Sequence, residues 1–223
     1  MAAGALAVVF VLLMAPGASA AVLVRDAFDV TSIRDFWRQI DARWWVGAGA
    51  LHVRKRSVDH RTHVGYAVVD LGGDHPSGVR VSSRIRLSPG QSNVGLAAPF
   101  RDAGNNLFCK VEITPGYPKG GAVIGRRRDA RTPSILVRRR GLGLEQGAVY
   151  RLTIDRHGRA ITCSVRRNGA VVTALRYRMT VRDIRDFGAG AKAGVRIKVI
   201  DGAGGKDEDD GRSRFLDFRA ITI

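Results

Sequence analysis

The chain has 223 residues, 45% of them hydrophobic and 26% charged, with a formal net charge of +17. That apolar share is ordinary for a globular chain and supports a sizeable core; no stretch after the first twenty residues is apolar enough to cross a bilayer, which excludes a helical integral membrane protein. The positive field attracts polyanions, but arginine outnumbers lysine about fivefold amid heavy Ala, Gly and Val use, a bias that scatters arginine over any exposed site, so charge alone names no partner.

Residues 1–20 carry no charged side chain, hold an apolar run over residues 5–14 and a turn at Pro16-Gly17, and close on Ala18-Ser19-Ala20. This is the pattern of a secretory signal cut after Ala20. The alternative, an uncleaved anchor, is disfavoured because the run falls short of the ~20 residues that span a bilayer. The reading is a signal peptide at 1–20 and one soluble, secreted, monomeric domain at 21–223, a length that all-β sandwiches fill as a single unit.

From Ala21 onward, short alternating segments are separated by Gly, Pro, Asn and Asp. Behind Thr31-Ser32, Ile33, Phe36, Trp37 and Ile40 recur at helical spacing, which predicts a turn or two of helix. Strands are predicted at residues 51–54, 79–87, 107–113, 122–124, 135–137, 150–154, 161–165, 194–200 and 215–221. Gly158 and Asn168-Gly169 mark two tight hairpins, since both sites accept positive φ. A second helical trace falls at Val181, Ile184 and Phe187. About ten short strands at turn-sized spacing predict a sandwich or barrel.

Period-2 alternation turns Cys109 and Cys163 to the apolar side of their strands. In an exported chain the pair reads either as one disulfide or as two small buried hydrophobes. Of the glutamates, Glu112 sits on a strand with no carboxylate two or four residues away, Glu145 lies in a Gly-rich turn and Glu208 belongs to an acidic loop over residues 201–211. None forms the carboxylate pair that glycoside hydrolysis needs, so no catalytic residue is assigned and the chain reads as a binding protein rather than an enzyme. His60 and His63 with Asp59, and His75 with Asp74, match no established zinc spacing and read as surface residues. The acidic loop lacks the spacing of an EF-hand and reads as solvated.

The arginine runs are the remaining chemistry. Arg126, Arg127 and Arg128 flank one side of a short loop, and Arg138, Arg139 and Arg140 follow the strand after it. If the strands around residues 123–124 and 135–137 pair, alternation gathers several guanidinium groups on one exposed face, with Arg166-Arg167 as an extension. Such a patch suits sulfate, phosphate or carboxylate, which arginine binds with a bidentate fork. The competing reading is a charged edge hairpin that resists aggregation. Nucleic acid is not expected, because no aromatic residues stand among the arginines to stack on bases.

The order of the pieces carries a resemblance. Asp26-Ala27-Phe28 opens the domain, followed by the Trp-Val-x-x-Gly-x-Leu segment from Trp45 to Leu51, Asn93-Val94-Gly95-Leu96 and Asn105-Asn106-Leu107-Phe108. Later come Tyr150-Arg151-Leu152-Thr153-Ile154, the Asn168-Gly169 turn, Ala193-Gly194-Val195-Arg196-Ile197 and Phe215-Leu216-Asp217-Phe218. In this order they resemble the concanavalin A-like jelly roll in its laminin-G-like branch. The resemblance implies two antiparallel sheets of about six strands, one concave, with paired first and last strands and with Trp45 and Leu51 plugging an edge. It implies a structural calcium between the terminal strands, at the positions of Asp26 and Asp217. It also implies glycan binding on the concave face or at loop tips, so the expected partner is a glycan or acidic polymer of the cell envelope. A sugar-processing hydrolase and a structural adhesion module are the alternatives.

Overall fold

The computed structural model describes residues 20–54, 63–73, 78–187, 191–199, 209 and 212–223. The signal segment over residues 1–19, His60, His75 and the acidic loop at 201–208 lie outside them. The first strands are β1 (Val22–Asp26), β2 (Arg38–Ile40), β3 (Arg43–Gly47), β4 (Ala50–Arg54), β5 (His63–Asp70) and β6 (Gly78–Arg86). Five long strands follow: β7 (Ser92–Asp102), β8 (Asn105–Thr114), β9 (Tyr117–Arg127), β10 (Ser134–Arg140) and β11 (Val149–His157). The chain closes through β12 (Ala160–Arg167), β13 (Ala170–Arg178), helix α1 (Val181–Phe187), β14 (Lys192–Val199), β15 (Arg214–Phe215) and β16 (Phe218–Thr222).

Among the described residues the strands form two antiparallel sheets, a jelly-roll sandwich. The seven-stranded sheet runs β10-β9-β8-β7-β14-β5-β2. The nine-stranded sheet runs β13-β12-β11-β6-β15-β4-β3, with β16 also pairing β6 and β1 pairing β16. The terminal strands therefore close the domain as the resemblance implies, while the count exceeds six because the terminal segments break into short strands. Each sheet contributes its inward alternation to one core. Val81 and Ile85 of β6, Leu152 and Ile154 of β11, Leu107 and Val111 of β8, and Val195 and Ile197 of β14 are all buried there.

Cys109 of β8 and Cys163 of β12 form a disulfide across this core, with Cα atoms 5.8 Å apart. The bond joins the two sheets near their middle and leaves no free cysteine among the described residues. Both hairpin turns fall where the sequence places them. Asn168 and Gly169 take φ of 49° and 83° between paired Arg167 and Ala170, and Gly158 takes 51° between paired His157 and Ala160.

Two local expectations need correction. No helix forms at Ile33 to Ile40. A single turn bonds the Trp37 N–H to Arg34 O at 3.0 Å, and the chain then enters β2, where Arg38 to Ile40 pair with β5. Tertiary pairing wins because Trp37 packs edge-on against Phe218 at 4.9 Å and its indole N–H donates to Asp26 at 2.8 Å. Trp45 does not plug the edge either. Alternation in β3 buries Trp44 and Val46, while Trp45 remains 48% exposed and stacks on His52 at 4.1 Å. Leu51 is buried as expected.

The disulfide closes a 54-residue span. Replacing both cysteines by alanine is expected to cost on the order of 4 kcal/mol if the bond acts by restricting the unfolded chain. Urea denaturation of the double variant checks this; a loss below about 1 kcal/mol would show that the cross-link adds little to core packing.

Candidate functional site

The site lies on the outer face of the seven-stranded sheet. Strands β7 and β8 are buried along almost their whole length, on both faces, so this outer face is not simply solvated. Their outward residues build a second apolar cluster. Tyr66, Val68, Ala97, Phe100, Phe108 and Val123 are buried together there, apart from the main core. Two glycines make this packing possible. A Cβ at Gly125 would stand 2.4 Å from the Phe108 ring, and one at Gly95 would stand 2.9 Å from Lys110 Cβ.

A pocket of about 580 Å³ opens beside this cluster and meets it at Phe108, within the range of roughly 300–1,000 Å³ usual for small-ligand sites. Its cationic lining comes from Lys110, Arg127, Arg131, Arg138, Arg196 and Lys198, against the carboxylates of Asp41 and Glu112. Tyr117 and Ile135 add apolar wall. The loop from Arg128 to Pro133 forms a rim and is tied to the β7–β8 turn. The Ala130 N–H donates to Gly104 O at 3.1 Å, and the Asp129 N–H donates to Asn105 Oδ1 at 3.1 Å.

The charged groups are held in order. Lys110 Nζ donates to Glu112 Oε2, and Arg138 Nε lies 3.9 Å from Glu112 Oε1. The Arg196 guanidinium covers the Phe108 ring at 4.3 Å and donates to Asn93 Oδ1 at 3.3 Å. Arg138 and Arg140 both lie over Tyr117, at 5.1 and 4.7 Å, and both donate to its hydroxyl. Burial lowers the Arg196 pKa below its usual value. Burial, reinforced by the Arg196 charge, also brings Lys110 down to about 8, against the opposing pull of Glu112. Three guanidinium Nε–H groups, on Arg127, Arg138 and Arg196, are buried without a hydrogen-bond partner. The pocket is thus a cationic bowl whose deepest aromatic ring, Phe108, lies beneath Arg196.

The arginine triplets do pair through a β9–β10 hairpin, with Val137 opposite Ile124 and Arg138 opposite Val123. They do not form one patch. The strands are antiparallel, so the triplets sit at opposite ends of the hairpin, with Arg127 about 13 Å along β9 from the Val123–Arg138 rung. Alternation divides them further. Arg127 and Arg138 line the pocket, and Arg140 reaches Tyr117 on the pocket wall. Arg139 stays exposed. Arg126 and Arg128 turn to Asp183 of α1, at 3.1 and 2.6 Å, and Arg128 also reaches Asp186 at 2.9 Å. Arg167 belongs elsewhere, paired with Glu145.

Asp183 organises the far end of that hairpin. It sits three residues after Thr180, whose hydroxyl accepts from the Asp183 N–H at 3.1 Å; Asp183 Oδ2 in turn accepts from the Thr180 N–H and hydroxyl and the Tyr177 hydroxyl. This reciprocal cap starts the helix that the sequence foresees. Burial pushes the Asp183 pKa up, but these hydrogen bonds and the Arg126 charge outweigh it and hold the carboxyl below its ordinary range.

The structure does not bring Asp26 and Asp217 onto a common partner. Asp26 is buried and accepts from the Phe28 N–H at 2.9 Å and the Trp37 indole at 2.8 Å, with Arg34 at 3.5 Å. Asp217 is held by Arg84 at 2.7 Å and Arg151 at 3.4 Å. The two share no partner, and arginine already supplies the positive charge that an ion would bring. Among the described residues no group of three or more His, Cys, Asp or Glu could hold a metal. His63 opens β5.

Lys110, Arg196, Lys198, Tyr117, Arg131 and Asp41 are pocket residues that sequence reasoning missed. The signal for one of them was present: Lys110, with Glu112, interrupts the outward alternation of a strand whose inward residues are all apolar.

No protein-family model matches the chain, and no curated protein matches it. Solved structures do. The CBM2 module of the evolved Dit of Lactobacillus casei BL23 phage J-1 superposes with a TM-score of 0.68 at 7% identity, over 92% of this chain and 96% of that one. SCLam, a non-specific endo-β-1,3(4)-glucanase of family GH16, gives 0.59 at 14% identity, over 93% of each chain. The carbohydrate-binding module CBM66 from Bacillus subtilis gives 0.52 at 11% identity, over 83% of this chain and 91% of that one. At such identities the likeness is one of fold. The chain has the concanavalin A-like jelly-roll fold.

Two outcomes follow from the charged groups. Asp183→Ala leaves Arg126 and Arg128 facing one another, and the expected cost is about 3 kcal/mol, the low end for a broken buried pair, because the guanidiniums keep 25% and 16% exposure; a melting temperature equal to wild type would contradict it. For Lys110 the folded pKa is about 8 and the unfolded value 10.5. Between them the unfolded chain holds more protons, so this residue's contribution to stability rises with pH from about 8 to about 10.5 and is flat below. Lys110→Met should remove that rise in denaturation curves taken at stepped pH. An unchanged slope would show that Lys110 titrates ordinarily.

Proposed function

We propose that the chain is a secreted glycan-binding module, acting as a monomer at or outside the cell envelope, with the pocket on the seven-stranded sheet as its working site. The observation that carries this reading is the gathering of six cationic side chains in one pocket with Tyr117 and Ile135 as apolar wall. Tyr117 and Ile135 offer apolar wall to a sugar ring, and the guanidinium groups of Arg127, Arg131 and Arg138 are donors for its hydroxyls or an acid group. The preferred ligand is therefore a saccharide bearing a carboxylate or sulfate, as on acidic glycans of an envelope. Carbohydrate-binding and carbohydrate-cleaving proteins among the structural neighbours support sugar over other anions. Export rests on the signal pattern of residues 1–20.

The hydrolase alternative fits the pocket less well. Hydrolysis needs two carboxyl groups that flank one glycosidic bond. Glu112 is instead neutralised by Lys110 and Arg138, which favours a holding role.

A glycan array probed with the purified protein tests the proposal. Acidic oligosaccharides should be retained and their uncharged counterparts should not. Binding to a short oligogalacturonate should weaken at least tenfold in the Arg127→Gln/Arg138→Gln variant and fall as salt screens the charges. An array without any bound glycan, or equal affinity in that variant, would refute it.

A further inference from the structure

The outward face of the nine-stranded sheet carries an electrostatic problem. Alternation buries Val81 and Ile85 of β6 and leaves Arg80, Arg84 and Arg86 exposed. Register then sets arginine beside arginine. Arg84 is opposite Arg151, and Arg151 is opposite Arg166, one row across β6, β11 and β12. Arg86 is opposite Arg214, and Arg25 is opposite Arg219. Like charges directly across neighbouring strands destabilise a sheet.

Compensation is thin. One carboxylate, Asp217, serves both Arg84 and Arg151, and Asp155 holds Arg80 at 2.6 Å. Among the described residues, no carboxylate lies within ion-pair distance of Arg86, Arg214, Arg25 or Arg219. The next row over is different: Ser82 is opposite Thr153, and Thr153 is opposite Ser164. This strip of hydroxyls runs across the strands between the Arg84 row and the row of Arg80, which is four residues or about 13 Å away along β6.

We propose that this face is a second binding surface, separate from the pocket, for an extended acidic polysaccharide. The polymer lies across the strands, with its carboxylates or sulfates on the arginines that flank the Ser82–Thr153–Ser164 row, where Ser82 and Thr153 are buried. Strands succeed one another every ~4.8 Å, so a row offers a repeating set of guanidinium forks, each able to hold an anionic oxygen pair. The rows are open at both ends, unlike the pocket, which suits a chain rather than a terminal sugar. A polyanion would also relieve the repulsion that the fold leaves in place. No Trp, Tyr or Phe stands in the Arg84–Arg151–Arg166 row to stack on bases, which separates its ligand from single-stranded nucleic acid; the Arg86–Arg214 row runs on to His52 and the exposed Trp45.

Heparin titrated by calorimetry into the purified protein tests the inference. Arg84→Gln/Arg151→Gln/Arg166→Gln should weaken binding at least tenfold and flatten its dependence on salt. Arg86→Gln/Arg214→Gln, which breaks no ion pair with a described residue, should weaken it several-fold while melting at or above the wild-type temperature. The pocket variant Arg127→Gln/Arg138→Gln should keep its heparin affinity within twofold. Equal heparin affinity in both sheet variants would overturn the inference. So would loss confined to the pocket variant, or retention on phosphatidylglycerol vesicles without heparin binding. Binding of a short oligogalacturonate is read separately, so failure of the sheet variants to lose heparin affinity leaves the pocket reading standing.

Discussion

Burial on both faces of β8 is the constraint from which the rest of the structure follows. Its inward residues, Leu107, Cys109, Val111 and Ile113, belong to the main core. Its outward residues, Phe108, Lys110 and Glu112, are buried as well. A central strand with two covered faces must satisfy a charged pair in low dielectric, where an unpaired charge costs several kcal/mol. Lys110 and Glu112 therefore bind each other, and Arg138 and Arg196 crowd close to them. The cationic bowl is a consequence of that arrangement, because two of its walls are the groups that keep the pair company.

Cation number alone misrepresents the molecule. The arginines divide into three kinds by what lies beside them. Arg126 and Arg128 are structural, spent on the buried Asp183 that caps α1. Arg127, Arg138 and Arg196 surround the pocket. Those of the nine-stranded sheet stand in opposed rows with few carboxylates near them. A compositional bias explains why arginine is frequent, but it does not explain why like charges are aligned by register.

Strands β4, β6, β8 to β12 and β14, the two hairpin turns, the short helix at Val181–Phe187 and the inward aim of both cysteines were legible because each depends on residues close in sequence, whereas β7 and β13 were not foreseen. Period-2 alternation and Asn-Gly chemistry act locally and need no partner. The failures share the opposite cause. Ile33, Phe36, Trp37 and Ile40 have helical spacing, yet Trp37 answers to Asp26 and Phe218, and Ile40 to β5. The arginine triplets look like one patch in the sequence, but antiparallel pairing sets their ends apart and alternation turns neighbours to opposite sides. The pocket was the least legible feature. It gathers residues from β5, β8, β9, β10 and β14, and only the Lys110-Glu112 interruption in an apolar strand hinted at it.

The two sheets are coupled through the same strand. Cys109 lies between Phe108 and Lys110, so the disulfide to Cys163 fixes the backbone that aims both pocket residues. Cys163 in turn pairs with Ile154 of β11 and Leu175 of β13, at the heart of the arginine-bearing sheet. Close to this link, Thr153 and Ser164 face outward in the hydroxyl strip while Phe108 forms the pocket floor on the far side. The covalent bond therefore sets the position of both candidate surfaces relative to the core. A saccharide in the pocket and a polymer on the opposite face would be held by one frame and would point away from each other.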